Sequence, residues 1–356
     1  MTKLLSIIIP TYNMAALLPR CLQSLVDAKD AAQLDIIVVN DGSKDNSLDV
    51  AREWESKYPD CIRVIDKSNG NYGSTINAAL PTAKGKYVKV LDSDDWFDTK
   101  ALNAFLTVLS QTESDIVVTH FSQIGATQTE VVRYNTMGRE PYEYGKVYDL
   151  DNVLKDHYIR FFLMHALTYR TQLLLQMNYR QTEGISYTDT EWACYPTFYA
   201  NTIVFYDINL YQYNLDREGQ TMDPNVLFRC VNQLQKVTDT MLEFYIQHID
   251  KVSPTRQEWL HQYYENRLRI LYKIYLLDMP RKHFDSTALQ AMDDKYWSMC
   301  QTHNFHPRLF PENKLLRIDY IAYWHKHKKR WPLWFERFNY GVDVVMKWLY
   351  LNLFRK

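Results

Sequence analysis

Five short β-branched runs in the first third of the chain constrain its fold more than any other feature: Leu4–Pro10, Asp35–Val39, Ile62–Asp66, Tyr87–Leu91 and Asp115–Thr119. Most are apolar on both faces, a pattern that suits strands covered from both sides in a parallel sheet. Helical patterns lie between them at Ala16–Val26, Ser47–Lys57, Ser74–Ala83 and Lys100–Leu109. In the first, Leu18, Leu22 and Leu25 share a face and Pro19 is tolerable only in the opening turn. Asp45 and Asn46 are cap candidates for the second. Alternating strand and helix predicts an α/β fold with right-handed crossovers and a mostly parallel central sheet, helices on both faces. Ligands of such sheets sit beyond the C-terminal strand ends.

Polar clusters fall at those ends. Thr11-Tyr12-Asn13 follows the first run, Asn40-Asp41-Gly42-Ser43 the second, Asn69-Gly70-Asn71-Tyr72-Gly73-Ser74 the third, and Asp92-Ser93-Asp94-Asp95 the fourth. Three carboxylates within four residues repel one another unless a cation or solvent compensates. Mg²⁺ and Mn²⁺ prefer oxygen ligands and are usually held by one or two carboxylates together with substrate phosphates. The acidic turn therefore reads as a site for a metal–diphosphate, and its plainer alternative is a solvated turn. Asp41 is placed to accept hydrogen bonds from a base or ribose edge. The Gly/Asn-rich stretch before a helix start favours an anionic phosphate. Neither a Gly-x-x-x-x-Gly-Lys loop nor a Gly-x-Gly-x-x-Gly turn after the first run is present, which weakens P-loop and dinucleotide readings.

Taken in order, Ser6–Asn13, Val38–Asp45, Asn69–Ser74 and Val90–Asp95 resemble the successive motifs of family 2 glycosyltransferases with the GT-A (Rossmann-like) fold. The resemblance covers roughly the first 220 residues well and the helical remainder poorly. It implies an inverting transferase using a nucleoside-diphosphate sugar, usually UDP-linked, with Mg²⁺ or Mn²⁺. It further implies that Pro10, Thr11, Tyr12 and Asp41 hold base and ribose, and that Asn71, Gly73, Ser74 and Asn77 form the loop and helix near the nucleotide. Asp92 then contacts the nucleotide side and Asp94 holds the metal. Gly184–Trp192 is similar to the family's downstream element. There Asp189 matches the general base, while Thr188 replaces a Glu that usually precedes it. Glu191 is the competing base, and Asp189 is also placed to cap a helix over Glu191–Phe198. Leu210–Thr221 is similar to the closing segment, where Arg217 would pair with the diphosphate and Gln220 and Thr221 would add hydrogen bonds. On the acceptor side stand His165, Tyr187, Glu191 and Trp192, of which His165, Tyr187 and Trp192 have an alternative place in the core.

The remaining readings concern organisation. A catalytic domain over 1–220 and a helical region over 221–356 are expected, with a helix start at Asp223-Pro224 and an apolar stripe of Val231, Leu234, Val237, Met241 and Phe244. A net charge of −1 gives no support to nucleic-acid binding. From Pro307 onward, however, 11 Lys/Arg face 4 Asp/Glu. The basic and aromatic stretch 325–356 suggests a peripheral contact with anionic lipid, or else a final helix packed on the body. Five well-separated cysteines suit a reducing compartment. The expectation is thus a cytoplasmic enzyme at the inner membrane face, extending a glycan or lipid-linked acceptor in polysaccharide synthesis. A metal-dependent nucleotidyltransferase and a non-catalytic nucleotide-sugar-binding module are the alternatives. The first is disfavoured because Thr11–Met14 stands where a Gly-rich basic loop belongs. The second is disfavoured by the presence of Asp41, Asp92, Asp94 and Asp189.

Overall fold

A computed structural model describes residues 3–134, 142–155, 159, 161–215, 229–310, 319–332 and 345. Its strands are β1 (Leu5–Thr11), β2 (Leu34–Asp41), β3 (Ile62–Lys67), β4 (Tyr87–Val90), β5 (Trp96–Phe97), β6 (Ile116–Ile124), β7 (Thr129–Val132), β8 (Val147–Asp149), β9 (Leu167–Arg170) and β10 (Thr202–Asn214). Its helices are α1 (Leu18–Val26), α2 (Ser47–Lys57), α3 (Asn71–Ala79), α4 (Thr99–Gln111), α5 (Leu150–Lys155), α6 (Thr171–Gln176), α7 (Asp189–Cys194), α8 (Val231–His248), α9 (Pro254–Lys273), α10 (Ser286–His303) and α11 (Tyr320–His327). By contacts the chain divides into two compact units, Met1–Gln220 with Asp239–Trp259, and Thr221–Thr238 with Leu260–Lys356. Asp239–Trp259 are thus grouped with the first unit and not with the helical remainder.

One sheet runs β3-β2-β1-β4-β9-β6-β10-β5, with β7 beside β6 and β8 beside β10. Every residue of β1 and β2 is buried, so both faces are covered, as their unbroken Ile/Val runs require. β1 pairs in parallel with β2 and β4, and β2 with β3. The C-terminal ends of these four strands therefore lie along one edge. The long β6–β10 ladder is also parallel, while β5, β7, β8 and β9 add antiparallel ladders of two to four residue pairs. This second half is more mixed than the strand runs suggested, because those four strands are short and carry little periodicity.

Helix α3 starts at Asn71, three residues before the expected Ser74. Gly70 occupies its N-cap, and the Ser74 and Thr75 hydroxyls donate back to the carbonyls of Asn71 and Tyr72 at 2.6 Å each. Polar residues that read as loop thus close the first helical turn on themselves. The expected stripe of α8 is buried at Val231, Leu234, Val237 and Met241.

Within the second unit, Asp293 on α10 is 2% exposed. It accepts from Tyr272 Oη at 2.6 Å, Trp324 Nε1 at 3.0 Å and Lys328 Nζ at 3.3 Å, and lies 2.7 Å from His325 Nε2. Arg330 donates to the carbonyls of Leu277 and Met279. Trp331 stacks on Tyr323 with centroids 4.2 Å apart. Three of the basic residues expected to face lipid, His325, Lys328 and Arg330, are therefore engaged inside this unit, while Lys326, His327 and Lys329 face solvent. Among the described residues no helix is long and apolar enough to cross a membrane. The rest of the tail, the Asp223-Pro224 start, and the expected donor ligands Arg217, Gln220 and Thr221 lie outside the described residues.

Candidate active site

At the tip of β1, Pro10 and Thr11 are buried while Tyr12 is 41% exposed. The Asn13 amide donates to Ser43 Oγ at 3.0 Å, and the Lys44 amide returns a bond to Asn13 Oδ1 at 2.8 Å. The loops after β1 and β2 are thereby tied together. Asp41, the last residue of β2, is 3% exposed. Its Oδ1 accepts from Lys67 Nζ at 2.8 Å, the Gly70 amide at 2.9 Å and Ser74 Oγ at 3.3 Å. Among the described residues all three bonds fall on one oxygen, so Oδ2 keeps its accepting capacity.

Asn71 opens α3 with a φ of +64°. Tyr72, one residue on, donates its hydroxyl to Asp92 Oδ1 at 2.9 Å. Gly73 is dictated by space, since a Cβ there would stand 2.1 Å from the Thr182 carbonyl oxygen. Asn77, expected near the donor, instead spends its side chain on residues 181–183. Its Nδ2 donates to Gln181 O and Glu183 Oε1 at 2.8 Å each, and its Oδ1 accepts from the Gln181 amide at 2.9 Å.

The acidic turn after β4 is braced from several elements. The Asp95 amide donates to Asp92 O at 3.0 Å, closing the turn. Tyr211 Oη donates to Asp95 Oδ2 at 2.6 Å and accepts from the Asp92 amide at 3.1 Å. The Asn214 amide donates to Asp95 Oδ1 at 2.8 Å. Arg20 lies 3.9 Å over the Trp96 ring and donates to Asp94 O at 2.7 Å. Burial, then the charges of Asp92 and Asp94, pushes the Asp95 carboxyl well above the usual carboxylate range. The Tyr213 phenol is pushed up to about 12, by burial first and then by Asp95, Asp92, Asp94 and Asp189. Tyr72 is raised by burial and next by Asp92 and Asp189. Two phenols thus register the field of both the acidic turn and Asp189.

Asp189 is the first residue of α7, and the N-cap is Thr188, whose side chain makes no cap bond. The expected capping role for Asp189 is therefore corrected, and the helix ends at Cys194 with a 3₁₀ turn over Tyr195–Phe198. Glu191 is fully buried and accepts from the Thr182 amide and Thr182 Oγ1, both at 2.7 Å. Each oxygen of the expected rival base thus already carries a bond from residue 182. Trp192 is 1% exposed, set edge-to-face against Tyr169 and Tyr179, so it offers no face to a sugar. Tyr187 is half-buried and adopts a φ of +69°.

His165 stacks between Phe121 and Tyr213 with centroids 5.0 and 4.5 Å away. Burial, then the positive charge of Lys89, lowers its pKa to about 3, so the ring is neutral near pH 7. Lys89, fully buried on β4, donates to the His165 and Leu167 carbonyls at 2.7 and 3.0 Å, and burial lowers its pKa to about 7. Sequence reasoning passed over Lys89, although a lysine inside an apolar strand run is a signal in itself. It also assigned no role to Lys67, Tyr72, Asp95, Tyr211 or Tyr213.

Asp92, Asp95 and His165 each bring one ligand atom within 4.8 Å of the others. The two carboxylates suit Mn²⁺ or Mg²⁺, and an imidazole as third ligand favours a transition metal such as Mn²⁺ over Mg²⁺. His165 Nδ1 is buried without a hydrogen-bond partner, and each Asp95 oxygen accepts one bond, from Asn214 or Tyr211, which leaves each a second lone pair. These residues fit a divalent cation. Asp94, the expected ligand, is outside this triad, although its charge acts on Asp95.

Residues 6–174 match the model of the family described as Glycosyl transferase family 2. An uncharacterized glycosyltransferase of Mycoplasma pneumoniae is 37% identical over 121 residues, which span 33% of this chain and 39% of that protein. The poly(ribitol-phosphate) beta-glucosyltransferase of Bacillus spizizenii is 36% identical over 117 residues, 32% of this chain and 18% of that enzyme. The chain therefore spans less than half the length of these relatives. Among solved structures, residues 1–349 of S. aureus TarS in complex with UDP-GlcNAc align with a TM-score of 0.51 at 20% identity, covering 85% of this chain and 91% of that one. At that identity the likeness is one of fold, a central mixed sheet of the GT-A kind followed by helices.

Proposed function

Residues 6–174 of this chain belong to glycosyl transferase family 2, and from that premise we propose that the protein moves a sugar, with inversion, from a UDP-linked donor to a hydroxyl of a glycan or lipid-linked acceptor in cell-surface polysaccharide synthesis. What supports this reading is that β4 ends in the acidic turn, where Asp92, Asp95 and His165 bring ligand atoms within 4.8 Å of one another, and that Tyr72, hydrogen-bonded to Asp92 Oδ1, feels the charge of Asp189 as well.

Asp41 Oδ2 receives the N3–H of uracil, held in place by the three bonds on Oδ1. Thr11 and Tyr12 line the same loop end, and Asn71 and Ser74 sit at the helix start facing the diphosphate. Asp92, with either Asp94 or the pair Asp95 and His165, would hold a Mg²⁺ or Mn²⁺ ion, which when bound would neutralise charge on the departing diphosphate. Asp189 takes the proton from the acceptor hydroxyl as its oxygen bonds to the anomeric carbon. The bond from that carbon to the diphosphate oxygen breaks on the opposite side, through an oxocarbenium-like transition state. Neutral His165 near pH 7 adds no positive charge that would compete with the cation.

Release of UDP from UDP-glucose and UDP-GlcNAc, followed with and without Mn²⁺, tests the reading. Metal-dependent release of UDP is expected. Release of pyrophosphate, or binding without turnover, would replace a sugar transferase with a nucleotidyltransferase or a binding module.

A further inference from the structure

Gln181–Gly184 form a strap that touches the donor helix on one side and the Asp189 helix on the other. Toward α3, the Gly184 amide donates to Gly70 O at 2.7 Å, Asn77 clamps Gln181 through both carbonyl and amide, and Gly73 lies so close to Thr182 O that no side chain fits. Toward α7, Glu191 receives both the amide and the hydroxyl of Thr182 at 2.7 Å. Glu191 is fully buried, two residues beyond Asp189 in the same short helix.

The geometry points to Glu191 as a positioning residue, which fixes Asp189 relative to the donor helix through Thr182. A six-residue helix cannot hold its own orientation by propensity, because helices so short are marginal in isolation. A bidentate charged contact on a rigid neighbour supplies the missing constraint. The partner is well chosen: Thr182 is pinned against α3 by the glycine that leaves it room. Donor helix and base helix are thereby referenced to the same strap, meeting at Thr182, and a small displacement of the base is costly in rate. This rests on the reading of Asp189 as the base.

The test uses the full chain and the variants Glu191→Ala, Glu191→Gln, Thr182→Val and Asp189→Asn. UDP affinity is measured with Mn²⁺, kcat is measured for hydrolysis of UDP-glucose and UDP-GlcNAc, and amide hydrogen exchange is followed over residues 188–194. Glu191→Ala is expected to keep UDP affinity within about twofold, to lower kcat about 30-fold and to speed exchange in α7 about tenfold. Glu191→Gln, which keeps one acceptor oxygen, should recover kcat to within about fivefold of wild type, with Thr182→Val between the two. Wild-type kcat in Glu191→Ala, unchanged exchange in α7, or a Gln variant as slow as the Ala variant would overturn the proposal, the last by assigning the carboxylate a chemical role. Wild-type turnover in Asp189→Asn would instead remove the base assignment alone, leaving exchange to decide whether Glu191 braces α7.

Discussion

Asp293 in the helical unit and Asp95 in the sheet unit are both nearly sealed from solvent, at 2% and 1% exposure, yet their surroundings push them in opposite directions. Around Asp293, burial alone would raise the carboxyl, but the bonds from His325, Tyr272 and Trp324 hold it down to about 2. Asp95 has a phenol and a backbone amide as hydrogen-bond donors and two aspartates at its side, and it is driven well above the usual range. The contrast separates two uses of a buried acid. One is neutralised by its own fold and joins α10 to α11. The other is left in a field that favours a proton or an incoming cation, which is what a binding site for a metal–diphosphate requires.

The largest expected effect lies in the sheet unit. Asp189→Asn should cut turnover by about 10³-fold while leaving UDP affinity near wild type, read by steady-state kinetics and calorimetry. Asp94→Ala should weaken Mn²⁺-dependent UDP binding by about 10²-fold and leave metal-independent stability nearly unchanged. If Asp95→Asn or His165→Ala has that effect while Asp94→Ala does not, the cation belongs to the Asp92, Asp95 and His165 triad. Asp293→Asn should cost about 2 kcal/mol at pH 7, with turnover per folded molecule intact. The sign follows from linkage. The folded pKa lies below the unfolded value of about 3.9, so the stabilisation is present above pH ~4 and is lost as pH falls toward 2. Acid unfolding followed by circular dichroism should therefore lose that limb in the variant. Smallest of all, Asp95→Asn in metal-free protein should shift stability by less than about 1 kcal/mol, because an amide replaces a carboxyl already disposed to be neutral. A cost equal to that of Asp293→Asn would erase the distinction between the two acids.

The sheet unit was legible in sequence because its information is local. Unbroken Ile/Val runs marked β1 and β2, and polar clusters directly after them marked the strand ends. The short antiparallel strands were not legible, since two to four paired residues leave no readable period. Within the site, the acidic turn, Asp41 and the region of Asp189 stood out by residue type. What the sequence hid were contacts between segments 76 to 116 residues apart: Asn77 to Gln181, Tyr211 to Asp95, and Lys89 to the carbonyls after Met164. The burial of Glu191 and Trp192 was hidden for the same reason, because it depends on Thr182, Tyr169 and Tyr179 from other segments. In the basic stretch from His325, residue type shows where the cations are, and only packing shows that His325 and Lys328 meet Asp293.

Diffraction from crystals of the chain grown with UDP and Mn²⁺ probes the strand-end site most directly. The anomalous signal should put manganese about 2 Å from a carboxylate oxygen of the Asp92–Asp95 turn, with the uracil against Asp41. Manganese or nucleotide bound away from the ends of β1 to β4 would contradict the account.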